Sequence, residues 1–179
     1  GAGSVGGSTG LTKSGTASLT ISSANTFTGN TIISGGYVEM QHATALGTTA
    51  GSISVGSGAA LRLSGGIAVG AKAITSLAGD GISSTGATHI ISGTGAVQAL
   101  TAGDALYIHV GANVLQFDSV IQNVGAGGTA TTLVKSGAGT LQLSNSANSY
   151  TGGTVINGGT IGLEDRKKHY EHALHVLGA

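Results

Sequence analysis

Leu11–Met40 reads LTKSGTASLTISSANTFTGNTIISGGYVEM, and Leu133–Leu163 reads LVKSGAGTLQLSNSANSYTGGTVINGGTIGL. In the same order, each runs through a KSG turn, an alternating strand, an Asn-x-aromatic-Thr-Gly turn, a short β-branched strand, Gly-Gly and a final strand. The copies lie about 120 residues apart, a self-similarity that marks a solenoid, in which each unit buries its apolar face against its neighbours. One residue of slippage, between Ser22 and Ala24, separates them.

The rest of the 179 residues agree with that reading. There are 34 Gly, no Pro, no Cys and no Trp, with 3% aromatic and 8% charged residues but 40% hydrophobic ones. Such Gly content would suit a disordered linker, yet the hydrophobic fraction argues against one. The apolar residues are mostly Val, Ile, Leu and Ala in short alternating runs. Stacked aliphatic ladders make a core without bulky aromatics. Ala59–Leu63 puts Leu61 and Leu63 on one face and Arg62 on the other. Ala105–Val110 sends Leu106, Ile108 and Val110 inward and Tyr107 and His109 outward. Gly, Asn, Ser and Thr fill the turns, where positive φ is needed. Rungs of roughly 20–25 residues, six to eight of them, are expected.

The chain changes character at Glu164. Glu164–Leu177 holds six of the fourteen Asp, Glu, Lys and Arg residues and three of the six His. Tyr170, Ala173, Leu174 and Leu177 stand at i, i+3, i+4 and i+7, which predicts an amphipathic helix. The organisation expected is a β-solenoid over 1–163 and a capping or docking helix over 164–179.

Charge excludes several functions. Seven Lys plus Arg balance seven Asp plus Glu, so no basic patch recommends nucleic acid. No apolar stretch approaches the ~20 residues of a membrane helix, and no membrane insertion by this chain is expected. The opening GAGSVGGSTG is not a signal peptide, so an export signal is expected to be removed or to lie elsewhere. Without Cys there are no disulfides or thiolate metal sites.

The repeat resembles the autotransporter-associated β-strand repeat, also called the passenger-associated transport repeat, of bacterial surface proteins. Ser136–Ser144, Ala147–Thr154 and Asn157–Ile161 carry the likeness, with Ala45-Leu-Gly47 and Ser52–Leu63 continuing the first copy. Residues 11–70 and 131–163 are close to the pattern, and 71–130 match in style. The resemblance implies an all-β, right-handed parallel β-helix, secreted or displayed at the cell surface. It also implies use as a stalk, an adhesin or a support for other domains. No translocator β-barrel is present in this sequence.

The two ends invite a further expectation. Written tail to head, Leu177-Gly-Ala179 and Gly1-Ala-Gly-Ser-Val5 give LGAGAGSV, which matches LGTTAGSI at Leu46–Ile53. Subunits stacked head to tail would form a filament, because open solenoid ends expose strand edges and heterologous contacts need not close. The expected self-assembly interface is Gly1, Ala2, Gly3, Ser4, Val5, Tyr170, Leu174, Leu177, Gly178 and Ala179.

Other candidate sites are weak. Gly1–Gly6 satisfies G-x-G-x-x-G, and Gly6–Gly10 the nucleophile-elbow pattern, but neither has the strand–turn–helix context. His169, His172 and His175 would fan across a helix and converge poorly on a metal. His42, His89 and His109 read as outward or turn residues. Asp80, Asp104 and Asp118 lie near Gly turns without the calcium-binding nonapeptide. Asn25 and Asn148 read as a ladder satisfying backbone groups, and Phe27 and Tyr150 as rung packing. Tyr107, His109, Arg62 and Lys72 are candidates for an outward face touching carbohydrate or protein.

The function expected is therefore structural and non-enzymatic, without cofactor or metal: a secreted subunit of an extracellular filament, its partner a second copy. The alternative is a monomeric adhesive passenger fragment that binds a host, matrix or glycan ligand.

Overall fold

The computed structural model describes residues 3–70, 73–76, 81–92, 95–99, 103–125 and 128–163, with the backbone of 174–175. Within them the chain winds as a parallel β-solenoid of about six turns with three sides. Strands are numbered in chain order. Sheet A holds β1 (Leu11–Lys13), β3 (Thr31–Ile33), β5 (Ile53–Val55), β8 (Ile74–Ser76) and β11 (Val97–Ala99). Sheet B holds β2 (Ser18–Ile21), β4 (Gly36–Met40), β6 (Ala59–Leu63), β9 (Gly81–Ser84), β12 (Ala105–Val110), β14 (Thr132–Ser136), β16 (Thr154–Ile156) and β18 (Leu174–His175). Sheet C holds β7 (Ala68–Val69), β10 (His89–Ile91), β13 (Val114–Phe117), β15 (Thr140–Leu143) and β17 (Thr160–Leu163).

Every strand pairing is parallel, because each turn climbs one inter-strand step and returns to the same side. Leu11, Thr31, Ile53, Ile74, Val97 and Ile121 stack in one column of sheet A. Turn length varies. Cross-turn hydrogen-bond partners are 20 residues apart at Val5–Asn25 and 27 apart at His109–Ser136. The longer turns fall in the middle of the chain, where the sequence keeps only the style of the repeat.

Period-two alternation fixes what is inside. On sheet B, Val38, Leu61, Ile82 and Ile108 form one buried column, and Met40, Leu63, Ser84 and Val110 another. Ile33 and Val55 face them from sheet A, and Leu115, Phe117, Leu141 and Leu143 from sheet C. Burying each such side chain contributes roughly 1.5–3 kcal/mol. The core is a stack of aliphatic ladders, as the composition demands.

The two repeat copies do not lie on the same sides. Copy one places its KSG strand β1 in sheet A and the following strand β2 in sheet B; copy two places the equivalents β14 and β15 in sheets B and C. The next pair, β3 and β4 against β16 and β17, shifts likewise. The second copy is thus turned by one side, about a third of a turn, around the solenoid axis.

No helix occurs among the described residues. The helix expected over 164–179 lies outside them except at Leu174 and His175, whose backbone forms a strand pairing with Thr154 and Val155. The expected helix is not confirmed by the described residues. The open edge of sheet B offers unpaired N–H and C=O groups, and a further parallel strand satisfies them.

Candidate functional site

The inner corners come first, because they hold most of the chemistry of the repeat. In Leu133-Val134-Lys135, alternation points Leu133 and Lys135 the same way, inward. Lys135 stands in register between Ile108 and Ile156 and is 0% exposed. Its Nζ donates to the carbonyl oxygens of Ser136 (2.8 Å), Gly137 (2.8 Å) and Gly158 (3.0 Å). Lys13 repeats the arrangement with Ser14 (2.9 Å), Gly15 (2.8 Å) and Gly35 (3.0 Å). An ammonium has three donors, and each finds one acceptor. Two acceptors belong to the lysine's own KSG corner, and the third to the Gly-Gly of the next turn.

This contact explains why KSG and Gly-Gly travel together in the sequence. An unsatisfied buried ammonium costs several kcal/mol. Without it, the corner carbonyls would lose their donors. Burial pushes the Lys135 ammonium below the usual lysine range, and the three carbonyls oppose that by favouring the charged form. Gly36 (φ +62) and Gly159 (φ +68) complete the corners. A Cβ there would lie 2.3 Å from the Ala17 oxygen in one copy and from the Gly139 oxygen in the other, so no side chain fits.

Asn25 accepts from the Val5 N–H (2.7 Å) and donates to the Ala45 oxygen (2.7 Å), tying three turns together. Asn148 accepts from the Ile121 N–H (2.8 Å) but donates within its own turn, to the Asn145 oxygen (2.8 Å). Both satisfy backbone groups as expected, but as brackets rather than as an amide ladder. Phe27 and Tyr150 are buried in the rungs, and the Tyr150 hydroxyl meets Thr154 Oγ1 at 2.9 Å.

His89 corrects the sequence reading. It is 0% exposed, with Ser84 Oγ 2.9 Å from Nδ1 and the Gly66 N–H donating to Nε2 at 3.2 Å. It begins β10, and its parity points inward; strand parity there is set by a turn whose length the sequence does not announce. Burial lowers its pKa, against the pull of the Ser64 and Ala87 carbonyls.

The outside is sparsely charged. With Lys13 and Lys135 turned inward, Arg62 is the one outward Lys or Arg among the described residues. It lies on sheet B with its guanidinium carbon 3.7 Å from the Tyr37 ring centroid. Register puts Glu39, Arg62, Ser83, His109 and Ser136 in one outward row. The adjacent row runs Tyr37, Ala60, Gly81, and by the same register Tyr107. Arg62, Tyr107 and His109, singled out in the sequence, therefore share one face; Lys72 lies outside the described residues. Tyr37, Glu39 and Ser83 join them, and a register offset of one turn is the signal that would have found them.

The expected assembly residues are divided. Gly3, Ser4 and Val5 are exposed, Val5 by 60%. The Thr26 N–H donates to the Val5 oxygen at 2.9 Å, and Ser23 Oγ to the Gly3 oxygen at 3.1 Å. Val5 therefore stacks on Asn25–Thr26, whereas Ile53, its match in the tail-to-head alignment, stacks on Thr31 in sheet A. The two segments occupy different sides. Gly1, Ala2, Tyr170, Leu177, Gly178 and Ala179 lie outside the described residues, as do His169, His172 and Asp80. For Leu174 the backbone alone is described. Asp118 accepts from Gln116 Nε2 at 2.7 Å. No three His, Asp or Glu gather around a metal-sized space among the described residues.

A model of the passenger-associated-transport-repeat matches residues 11–40 and 133–163, the two lysine-capped copies. The chain carries passenger-associated transport repeats. It is also 34% identical over 156 residues, 87% of its length, to the Adhesin BmaC autotransporter of Brucella suis biovar 1 (strain 1330). It spans 4% of that protein's length. No solved structure is significantly similar. The homology gives this passenger-repeat solenoid an extracellular or bacterial-surface location.

Proposed function

We propose that the chain is a ligand-binding segment of a surface-displayed adhesive passenger, a rod that binds and does not catalyse. The observation that carries this reading is the 34% identity to an autotransporter adhesin across 87% of the chain. The filament subunit expected from the tail-to-head junction has no support from that homology. A right-handed winding is the reading that parallel crossover connections favour. The partner proposed is a host, matrix or glycan ligand; no cofactor or nucleic acid is invoked.

Rigidity suits the role. One corner in each repeat copy is locked across turns by an ammonium, which helps to hold the outward rows in register. Purified chain, or chain displayed on a non-adherent bacterium, should bind host cells or matrix above a scrambled-display control. Absence of binding by the folded chain to cells, matrix proteins and glycans alike would contradict the proposal. Concentration-dependent filaments without ligand binding would restore the alternative.

A further inference from the structure

We propose that the outer face of sheet B carries a glycan-binding patch formed by Tyr37, Glu39, Arg62, Ser83, Tyr107 and His109. Its ligand would be an uncharged, hydroxyl-rich oligosaccharide. The proposal rests on the adhesive reading and gives it a place and a chemistry.

Four observations converge. The two outward aromatic side chains among the described residues, Tyr37 and Tyr107, stand on the same face and in the same outward row. Three inter-strand steps separate them, about 14 Å. Between them the row holds only the small, buried Ala60 and Gly81, with Arg62 laid over one face of the Tyr37 ring, so the Arg62–Tyr37 stack and the Tyr107 ring stand at either end, spaced for a short oligosaccharide. Sugar rings present apolar C–H faces that pack on aromatic rings.

Second, Arg62 is oriented by stacking on Tyr37 yet makes no hydrogen bond or ion pair among the described residues. Its fork of N–H donors is left for an outside acceptor. Third, Ser83 stands in the row between Arg62 and His109, is only 7% exposed, and its Oγ has no hydrogen-bond partner. A buried hydroxyl left without a partner is destabilising. The His109 ring is bonded toward Ser136 (3.2 Å), on the side away from Ser83. A ligand hydroxyl that shifts the side chains covering Ser83 would give it the partner it lacks.

Fourth, the patch is close to neutral. Glu39 lies in register with Arg62 and is held by the Gln41 amide at 2.8 Å. One carboxylate and one guanidinium side by side offer acceptors and donors to vicinal hydroxyls. They do not offer the excess positive charge that an anionic polymer needs.

The test is binding of the whole chain to immobilised neutral oligosaccharides, carboxylated oligosaccharides and deglycosylated matrix proteins, in parallel. Wild type is compared with Tyr107→Ala, Arg62→Gln and, on the sheet A side, Ile32→Ala, each checked by circular dichroism and melting. Expected are binding to a neutral oligosaccharide, a tenfold or greater loss in both patch variants with melting unchanged, and no change in Ile32→Ala. Preference for carboxylated glycans overturns the proposal, as does equal loss in all three variants. Binding to deglycosylated matrix protein alone also overturns it, while leaving the adhesive reading intact. If either patch variant fails to fold, Tyr107→Phe and Arg62→Lys take its place: retained stacking but weaker hydrogen bonding predicts an intermediate loss, and undiminished binding overturns the proposal.

Discussion

The two repeat copies have nearly the same wiring and face in different directions. In both, an inward lysine caps two carbonyls of its own corner and one of the next turn, with distances agreeing within 0.1 Å across each corresponding pair. Yet the first copy turns from sheet A to sheet B, and the second from B to C. The motif therefore specifies a corner and its tie to the next turn. It does not specify a side of the prism, and turn lengths between copies decide where it falls. Residues that repeat in the sequence are for that reason poor guides to a binding surface: the copies present their outward residues in different directions. The outward patch on sheet B is built from side chains that do not repeat.

The copies also differ in depth, which allows the comparison to be broken. Lys135 lies at 0% exposure between two turns, and Lys13 at 9% in the first complete one. Lys135→Met should cost about 3 kcal/mol by leaving three part-buried carbonyls without a donor, and Lys13→Met about 1 kcal/mol. Urea unfolding of both variants checks this; equal losses would mean that the neighbouring turns add nothing. Next come the glycine corners, where the copies should agree: Gly36→Ala and Gly159→Ala each force strain of about 2 kcal/mol. Thermal melts that show one tolerated and the other not would break the equivalence of the corners.

A smaller difference is expected from the asparagines. Asn25 ties two other turns and Asn148 only one, so Asn25→Ala should lose about 2 kcal/mol and Asn148→Ala about 1. Hydrogen exchange at Val5 and Ile121 would report each bracket separately. The smallest effect belongs to pH. His89 is held neutral by burial, so the unfolded chain binds its proton first as pH falls below about 6.5, and stability declines from there toward the lower folded value. The slope should not exceed ~1.4 kcal/mol per pH unit. Melting between pH 7.5 and 5 should show it, with His89→Gln flattening the curve.

Much of this was legible in the residues. The duplicated motif gave the solenoid, and alternation gave the inward positions of Leu61, Leu63, Leu106, Ile108 and Val110. The lysine caps were within reach too, since Lys13 and Lys135 have inward parity in their strands, but a charged residue beside a Ser-Gly turn reads naturally as solvent-facing. Only coordinates bring Gly35 and Gly158 within reach of the ammonium. His89 was misread because its side depends on the length of an irregular turn. The outward patch was half visible: Arg62, Tyr107 and His109 stood out by type, whereas Tyr37 and Ser83 join them only through register.

The most direct test of the corner mechanism is nuclear magnetic resonance of the lysine ammonium groups at neutral pH. Slowly exchanging Nζ protons are predicted for Lys13 and Lys135, with hydrogen-bond connections to Gly35 and Gly158 one turn away, each signal vanishing in its Lys→Met variant. Fast, solvent-like exchange at both lysines would contradict the account.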